Sequence, residues 1–306
     1  MVHGTDMNLT TQRYFPEEVF PPAPERRAEY ERRVQIGRER LARSTGVIVG
    51  LARNVEPHLP RTIAGIEALG ALFADYRVVI YENDSTDSTR ELLMDWAARR
   101  SQVDVTCERH GDPVNPTARC LQRTERMARY RNACLDIVRK KYAGFDYVIV
   151  VDTDLTVGWS LNGVANTFGH DNWDFVGSNG LIFYRRHWNP NLPLQYDAWA
   201  FRLDEKFTPL TTREVNGMRW QRGEPLVPVT CSFGGLGVYR MPAFLAGEYA
   251  GDDIEHVAHQ IRARAAGFRR VFLNPSQITV YGRHRRKSDW WKLPMIRLLT
   301  GNKPHG

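Results

Sequence analysis

Through the first half of this 306-residue chain, short apolar runs of strand length alternate with stretches whose apolar residues recur at helical spacing. That alternation constrains the fold more than any other feature. Gly46-Val-Ile-Val-Gly-Leu51 is a continuous apolar run of the kind buried on both faces of a sheet. Leu59, Ile63, Ile66, Leu69 and Phe73 follow on one helical face, and Arg77-Val-Val-Ile-Tyr81 is a second strand. Ser88-Thr-Arg-Glu91 predicts a capping box, with Leu92, Leu93, Trp96 and Ala97 as the apolar face of its helix. Val103 to Thr106 is a third strand, and a helix from Leu121 to Lys141 leads to the strand Tyr147-Val-Ile-Val-Val151. Such β-α-β order implies right-handed crossovers and a mostly parallel sheet. In open sheets of this kind ligands gather beyond the carboxyl ends of the strands. Arg53-Asn54, Glu82-Asn83-Asp84 and Asp152-Thr153-Asp154 each follow a strand directly, so one shared rim is predicted for all three.

Acidic residues crowded on a rim repel one another unless something positive lies among them. Asp152 and Asp154 are two apart, and extended geometry points them to the same side. A divalent cation, Mn²⁺ or Mg²⁺, held by these hard oxygens and by diphosphate oxygens would relieve the repulsion. It would also stabilise charge building on a departing diphosphate. The competing reading is a solvated pair of loop aspartates. Glu82 and Asp84 could likewise belong to a polar loop, or accept hydrogen bonds from a nucleobase or ribose.

Three further segments carry candidate chemistry. Arg119, Arg123, Arg126, Arg129 and Arg131-Asn132 lie on or near the long helix, as a solvated basic face or a phosphate-binding one. Asp252-Asp253-Ile-Glu255-His256 opens an apparent helix. Acidic residues there suit the helix dipole, yet Asp253, Glu255 or His256 could also deprotonate a hydroxyl. His284 follows the strand Ile278-Thr-Val-Tyr281 within a basic run, and its imidazole could complete a metal shell. The net charge of +7 favours anionic partners without choosing among them. The four cysteines show no paired spacing; Cys134 and Cys231 are predicted to be buried thiols.

Ile80-Tyr-Glu-Asn-Asp-Ser-Thr-Asp-Ser-Thr89, Arg126-Met-Ala-Arg-Tyr-Arg-Asn132 and Asp146 to Asp154 resemble the cryptococcal capsule mannosyltransferase family and, more widely, the GT-A glycosyltransferases, including family 2. The resemblance runs on through Tyr196-Asp-Ala-Trp-Ala-Phe-Arg202, Cys231-Ser-Phe-Gly-Gly235 and Asp253 to Pro275. It implies a GT-A fold: Rossmann-like α/β, with a mostly parallel central sheet and helices on both faces. The expected division is an amino-terminal extension with a charged helix (1–44), a nucleotide-sugar half (45–156), an acceptor and catalytic half (157–287) and a basic aromatic tail (288–306). Glu82 and Asp84 would then face the nucleoside, Arg131 and Asn132 the donor, and Asp152 and Asp154 the metal; Arg53, on the same rim, is a further candidate to bind the donor. Family 2 enzymes carry an acidic pair, its second member the base, where this chain has Glu255-His256; the imidazole departs from that pattern. Ser232-Phe233 also departs from the Trp usual in the capsule enzymes.

The implied activity is transfer of a hexose, with mannose one candidate, from a GDP- or UDP-sugar to a glycan or lipid-linked acceptor. A sugar-1-phosphate nucleotidyltransferase would share the sheet and metal, but Gly50-Leu-Ala-Arg-Asn54 lacks the glycine density of its phosphate loop. A non-enzymatic module binding an anionic surface is the other alternative, and no nucleic-acid partner is expected. No signal pattern or membrane-length apolar run is present, so the expected location is cytoplasmic. Trp290-Trp-Lys-Leu-Pro-Met-Ile-Arg-Leu-Leu299 adds the option of peripheral contact at the inner membrane face.

Overall fold

The computed structural model describes residues 15–116, 118–183 and 193–282. His284 and the aromatic tail, both singled out above, lie outside these residues. In chain order the elements are α1 (Arg27–Leu41), β1 (Thr45–Ala52), α2 (Leu59–Gly70), β2 (Asp75–Asn83), α3 (Thr89–Arg99), β3 (Val103–Glu108), α4 (Leu121–Lys141) and β4 (Tyr147–Asp152). The second half adds β5 (Gly158–Trp159), α5 (Leu161–Phe168), β6 (Phe175–Ile182), β7 (Leu194–Gln195), α6 (Thr212–Gly217) and β8 (Val227–Pro228). It ends with β9 (Leu236–Arg240), α7 (Met241–Ala246), α8 (Glu255–Ala265) and β10 (Val271–Tyr281).

One sheet runs β3-β2-β1-β4-β9-β6-β10-β5, with β7 on β6 and β8 on β10. β3, β2, β1 and β4 are parallel neighbours, and β6 and β10 form a further parallel pair. β9 runs antiparallel to both β4 and β6, so among the described long strands it alone is reversed. This is the mostly parallel α/β sheet expected of a GT-A fold, with a reversed strand at its centre.

Strand alternation divides the core between the two faces. Val47, Val49, Val148 and Val150 pack with Ala128, Leu135 and Val138 of α4. Ile48, Ile149 and Val151 face the other way, onto Leu59, Ile66 and Leu69 of α2. Each such side chain contributes about 1.5–3 kcal/mol by leaving water. The charged α1 buries Tyr30 and Leu41 and packs on α5. Gly37 permits that approach, because a Cβ there would fall 1.7 Å from the Ala165 carbonyl oxygen.

The capping box predicted at Ser88 is absent. Asp87 Oδ1 accepts the Thr89 N–H (3.0 Å) at the start of α3, while the Thr89 hydroxyl accepts the Val55 N–H (2.8 Å) and ties that start to the segment before α2. Glu82 and Asn83 belong to β2 rather than to a loop, paired with Cys107 and Glu108. α8 begins at Glu255, leaving Asp252 and Asp253 ahead of it. All four cysteines are free, with Cys134 and Cys231 buried. Among the described residues, no helix is long and apolar enough to cross a membrane.

Candidate active site

β1, β2 and β4 end in register, Ala52 opposite Glu82 and Leu51 opposite Asp152. Their ends open on a cavity of about 450 Å³. Arg53, Asn54 and Asn83 line one end of its wall, and Asp152, Thr153 and Asp154 follow from β4. α4 contributes Arg123, Met127 and Arg131, which share a face at i, i+4 and i+8. Glu255 and His256 enter from the start of α8.

Arg131 organises the β4 side. It is 5% exposed, yet its guanidinium donates from Nε to Glu255 Oε1 (3.1 Å) and from Nη2 to Asp152 Oδ1 (3.4 Å). Its charge lies 5.3 Å from the centre of the Phe233 ring. The Tyr196 hydroxyl donates to Asp152 Oδ2 (2.9 Å). The backbone carbonyl of Gly235, a residue at φ +84°, accepts the Asp152 N–H (2.9 Å) and fixes the strand end.

Burial pushes the Asp152 carboxyl up and the Glu255 charge adds to this, against the opposing pull of Arg131 and Tyr196. Asp154 is pushed up to about 7, by burial first and by the Asp152 charge second. Two half-buried, mutually repelling carboxylates with hard oxygens are a donor set that suits a divalent cation. The described residues contain no group of three metal-ligating side chains. Water or ligand oxygens would therefore have to fill the shell around Asp152 and Asp154.

The β2 side is built differently. Glu82 is buried and its Oε1 accepts the Ser85 N–H (2.9 Å). Asp84 stands at φ +53° and accepts the N–H groups of His110 (3.0 Å), Gly111 (2.9 Å) and Asp112 (3.3 Å), together with Asn83 Nδ2 (3.0 Å). Burial raises its pKa, but the Asn83 amide and the three backbone donors outweigh that and hold it below the usual range. Asp84 folds the 108–113 segment and Glu82 the turn after β2, and neither carboxylate lines the cavity. The folded segment in turn presents Arg53, whose guanidinium donates to the carbonyls of Asp112 (2.6 Å) and Pro113 (3.1 Å). The groups facing the cavity here are thus Arg53, Asn54 and Asn83.

The remaining candidates separate in the same way. Asn132 exchanges two hydrogen bonds with the Tyr249 backbone (2.8 and 3.0 Å), fastening α4 to the segment before α8, away from the cavity. Asp253 pairs with Arg119 (2.5 Å) and with the buried Arg202 (3.1 Å), also outside the cavity wall. His256 is 3% exposed and stacks on Phe233 with ring centres 3.8 Å apart. Neither ring nitrogen has a hydrogen-bond partner among the described residues, although Nε2 lies 4.0 Å from Glu255 Oε1. Burial, then the charges of Arg131 and His259, push its pKa well below the ordinary value, so the imidazole is neutral.

Sequence reasoning passed over Tyr196, Asp197, Trp199 and Phe233 as wall residues. Residues 196–199 sit on a turn and a 3₁₀ segment without periodicity, so the resemblance covers them as a stretch but no pattern gives them individual roles. Arg123 was legible, because its spacing to Arg131 places both on one face of α4.

No protein-family model and no curated protein matches this chain. Solved structures are similar in part. The mannosyltransferase PcManGT from Pyrobaculum calidifontis, solved with GDP-Man and Mn²⁺, aligns over 90% of this chain and 71% of its own, at 14% identity and a TM-score of 0.47. GalNAc-T7, solved with UDP, GalNAc and Mn²⁺, aligns over 79% of this chain but only 44% of its own, again at 14% identity and 0.47. S. aureus TarS 1–349, in complex with UDP-GlcNAc, aligns over 80% of this chain and 60% of its own, at 14% identity and 0.44. Likeness at this level assigns no activity, and the functional reading rests on the geometry above.

Proposed function

We propose that this chain is a metal-dependent glycosyltransferase, moving a hexosyl group from a nucleoside diphosphate sugar to a hydroxyl of a glycan or lipid-linked glycan. The observation that carries the reading is the pair Asp152 and Asp154. Both are half-buried and repel one another, and they lie at the carboxyl end of β4 on a cavity that also holds Arg53 and Arg131. Cations and carboxylates facing one another across a cavity of this size suit a metal–diphosphate ligand better than either ion alone.

Asp152 and Asp154 would hold the cation, which when bound supplies Lewis-acid stabilisation of the leaving diphosphate. Arg53, held out by the Asp112 and Pro113 carbonyls, donates to the nucleotide end of the donor. Arg131 holds Asp152 and Glu255 in place while its charge offsets theirs. Neutral His256, with both nitrogens unpaired, can exchange hydrogen bonds with sugar hydroxyls. Mannose from GDP-mannose is one candidate, and UDP-sugars fit the same chemistry.

Thermal shift with UDP- and GDP-sugars tests the reading, since a ligand that binds only the folded state stabilises it by about 2.7 kcal/mol at a hundredfold excess over Kd. At least one nucleotide should raise the melting temperature with MnCl₂ present, and Asp154→Ala should lose that shift while staying folded. A shift in Asp154→Ala equal to that of wild type would sink the assignment.

A further inference from the structure

The candidate site opens into a second cavity of about 500 Å³, and Asp154 and Asp197 stand on the wall common to both. The second cavity also carries Trp199, Thr212 and Asn216. An aromatic ring with hydroxyl and amide groups is the chemistry that binds a saccharide, through its apolar ring face and its hydroxyls. One face of Trp199 is taken by Arg123, whose guanidinium carbon lies 5.5 Å from the ring centre.

Among the described residues, no carboxylate other than Asp197 has a buried oxygen without a hydrogen-bond partner. The Asp197 backbone is left-handed, at φ 59° and ψ 37°, a conformation that asparagine and aspartate adopt more readily than other non-glycine residues. Its Oδ2 is buried without a hydrogen-bond partner. The other carboxylates are engaged: Glu255 by Arg131, Asp253 by Arg119 and Arg202, and Asp152 by Arg131 and Tyr196. A buried carboxylate oxygen without a donor is costly unless a ligand supplies one.

We propose that Asp197 is the catalytic residue that accepts the proton of the attacking hydroxyl, with the acceptor saccharide seated in the second cavity; this rests on the glycosyltransferase reading above. The acceptor oxygen bonds to the anomeric carbon of the donor, and the bond from that carbon to the diphosphate oxygen breaks with its electron pair leaving on the diphosphate. The hydroxyl proton passes to the Asp197 carboxylate and from there to solvent. Attack from the acceptor side, opposite the diphosphate, inverts the anomeric centre. Neutral His256, beside Arg131, is a weaker proton acceptor than a buried carboxylate.

Asp197→Asn keeps the shape and the left-handed backbone while removing the proton acceptor. With MnCl₂ and either UDP-glucose or GDP-mannose, nucleotide release into water or to methyl α-mannoside should fall at least a hundredfold. The thermal shift induced by UDP or GDP should stay within about 1 °C of wild type, since the nucleotide is held by Arg53 and the Asp152–Asp154 cation rather than by Asp197. NMR of the wild-type product should show inverted configuration. Release within threefold of wild type, or a retained configuration, overturns the proposal and leaves the transferase reading standing. Absence of any nucleotide-dependent shift, or of any donor turnover, in the wild type overturns both. Asp197→Gly, which also accepts positive φ, gives the same comparison if the asparagine variant does not fold.

Discussion

The ends of β2 and β4 carry acidic clusters that look alike in sequence and behave in opposite ways. Asp84 accepts three backbone N–H groups and an amide, and sits below the ordinary carboxylate pKa. Asp154 is half-buried beside another carboxylate and is pushed up to about 7. One cluster spends its charge on folding the 108–113 segment. The other depends on Arg131 and on whatever cation enters the cavity. A strand-end position therefore identifies a rim, whereas the hydrogen bonds around a carboxylate decide whether it shapes the protein or receives a ligand.

Arg131 offers the largest test of this contrast. Removing one partner of a buried ion pair leaves the other charge uncompensated and costs about 3–5 kcal/mol. Arg131→Met should lose stability on that scale in chemical denaturation at pH 7, because Asp152 and Glu255 would both lose their cation. A loss below 1 kcal/mol would mean that the β4 cluster is solvated rather than held by Arg131.

Asp84→Ala comes next. It removes hydrogen bonds to a charged acceptor from a largely exposed loop, at about 1.5–3 kcal/mol. It should also loosen Arg53, which that loop positions, and so weaken nucleotide binding without altering the Mn²⁺ response. If Asp84→Ala removed the Mn²⁺ response while leaving stability intact, the assignments of the two clusters would have to be exchanged.

Much of the first half was legible because its signals are local. α4 runs from Leu121 to Lys141 as its periodicity predicts, and β4 differs from its apolar run only by including Asp152. The shared rim followed from strand order and is seen in the register of β1, β2 and β4. The second half depends on pairing between distant segments. β9 inserts reversed between β4 and β6, and β5, β7 and β8 have only two residues each, too few to show alternation. In the site, the sequence could not show that backbone amides would take up Asp84. Nor could it show that the backbone at Asp197 would turn left-handed and leave a buried oxygen unpaired. These outcomes are set by tertiary placement, which residue identity does not encode locally.

The smallest expected effect is the most direct reading of the contrast, because it is measured without metal or nucleotide. A carboxylate raised in the folded state, as Asp154 is from 3.8 to about 7, favours the fold when protonated. Its contribution is fully present below about pH 4 and is lost as pH rises through 7. Asp84, depressed in the folded state, contributes in the opposite sense: its stabilisation is present above about pH 4 and is lost as pH falls. In EDTA, Asp154→Asn should therefore match wild type near pH 4.5 and melt roughly 5 °C higher at pH 8, the size of shift that 1–2 kcal/mol produces in a domain of a few hundred residues. Asp84→Asn should do the reverse, melting below wild type at pH 8 and approaching it only as the pH falls below about 4. Parallel curves for the two variants would show that both clusters are solvated alike, and the distinction drawn between the two strand ends would fail.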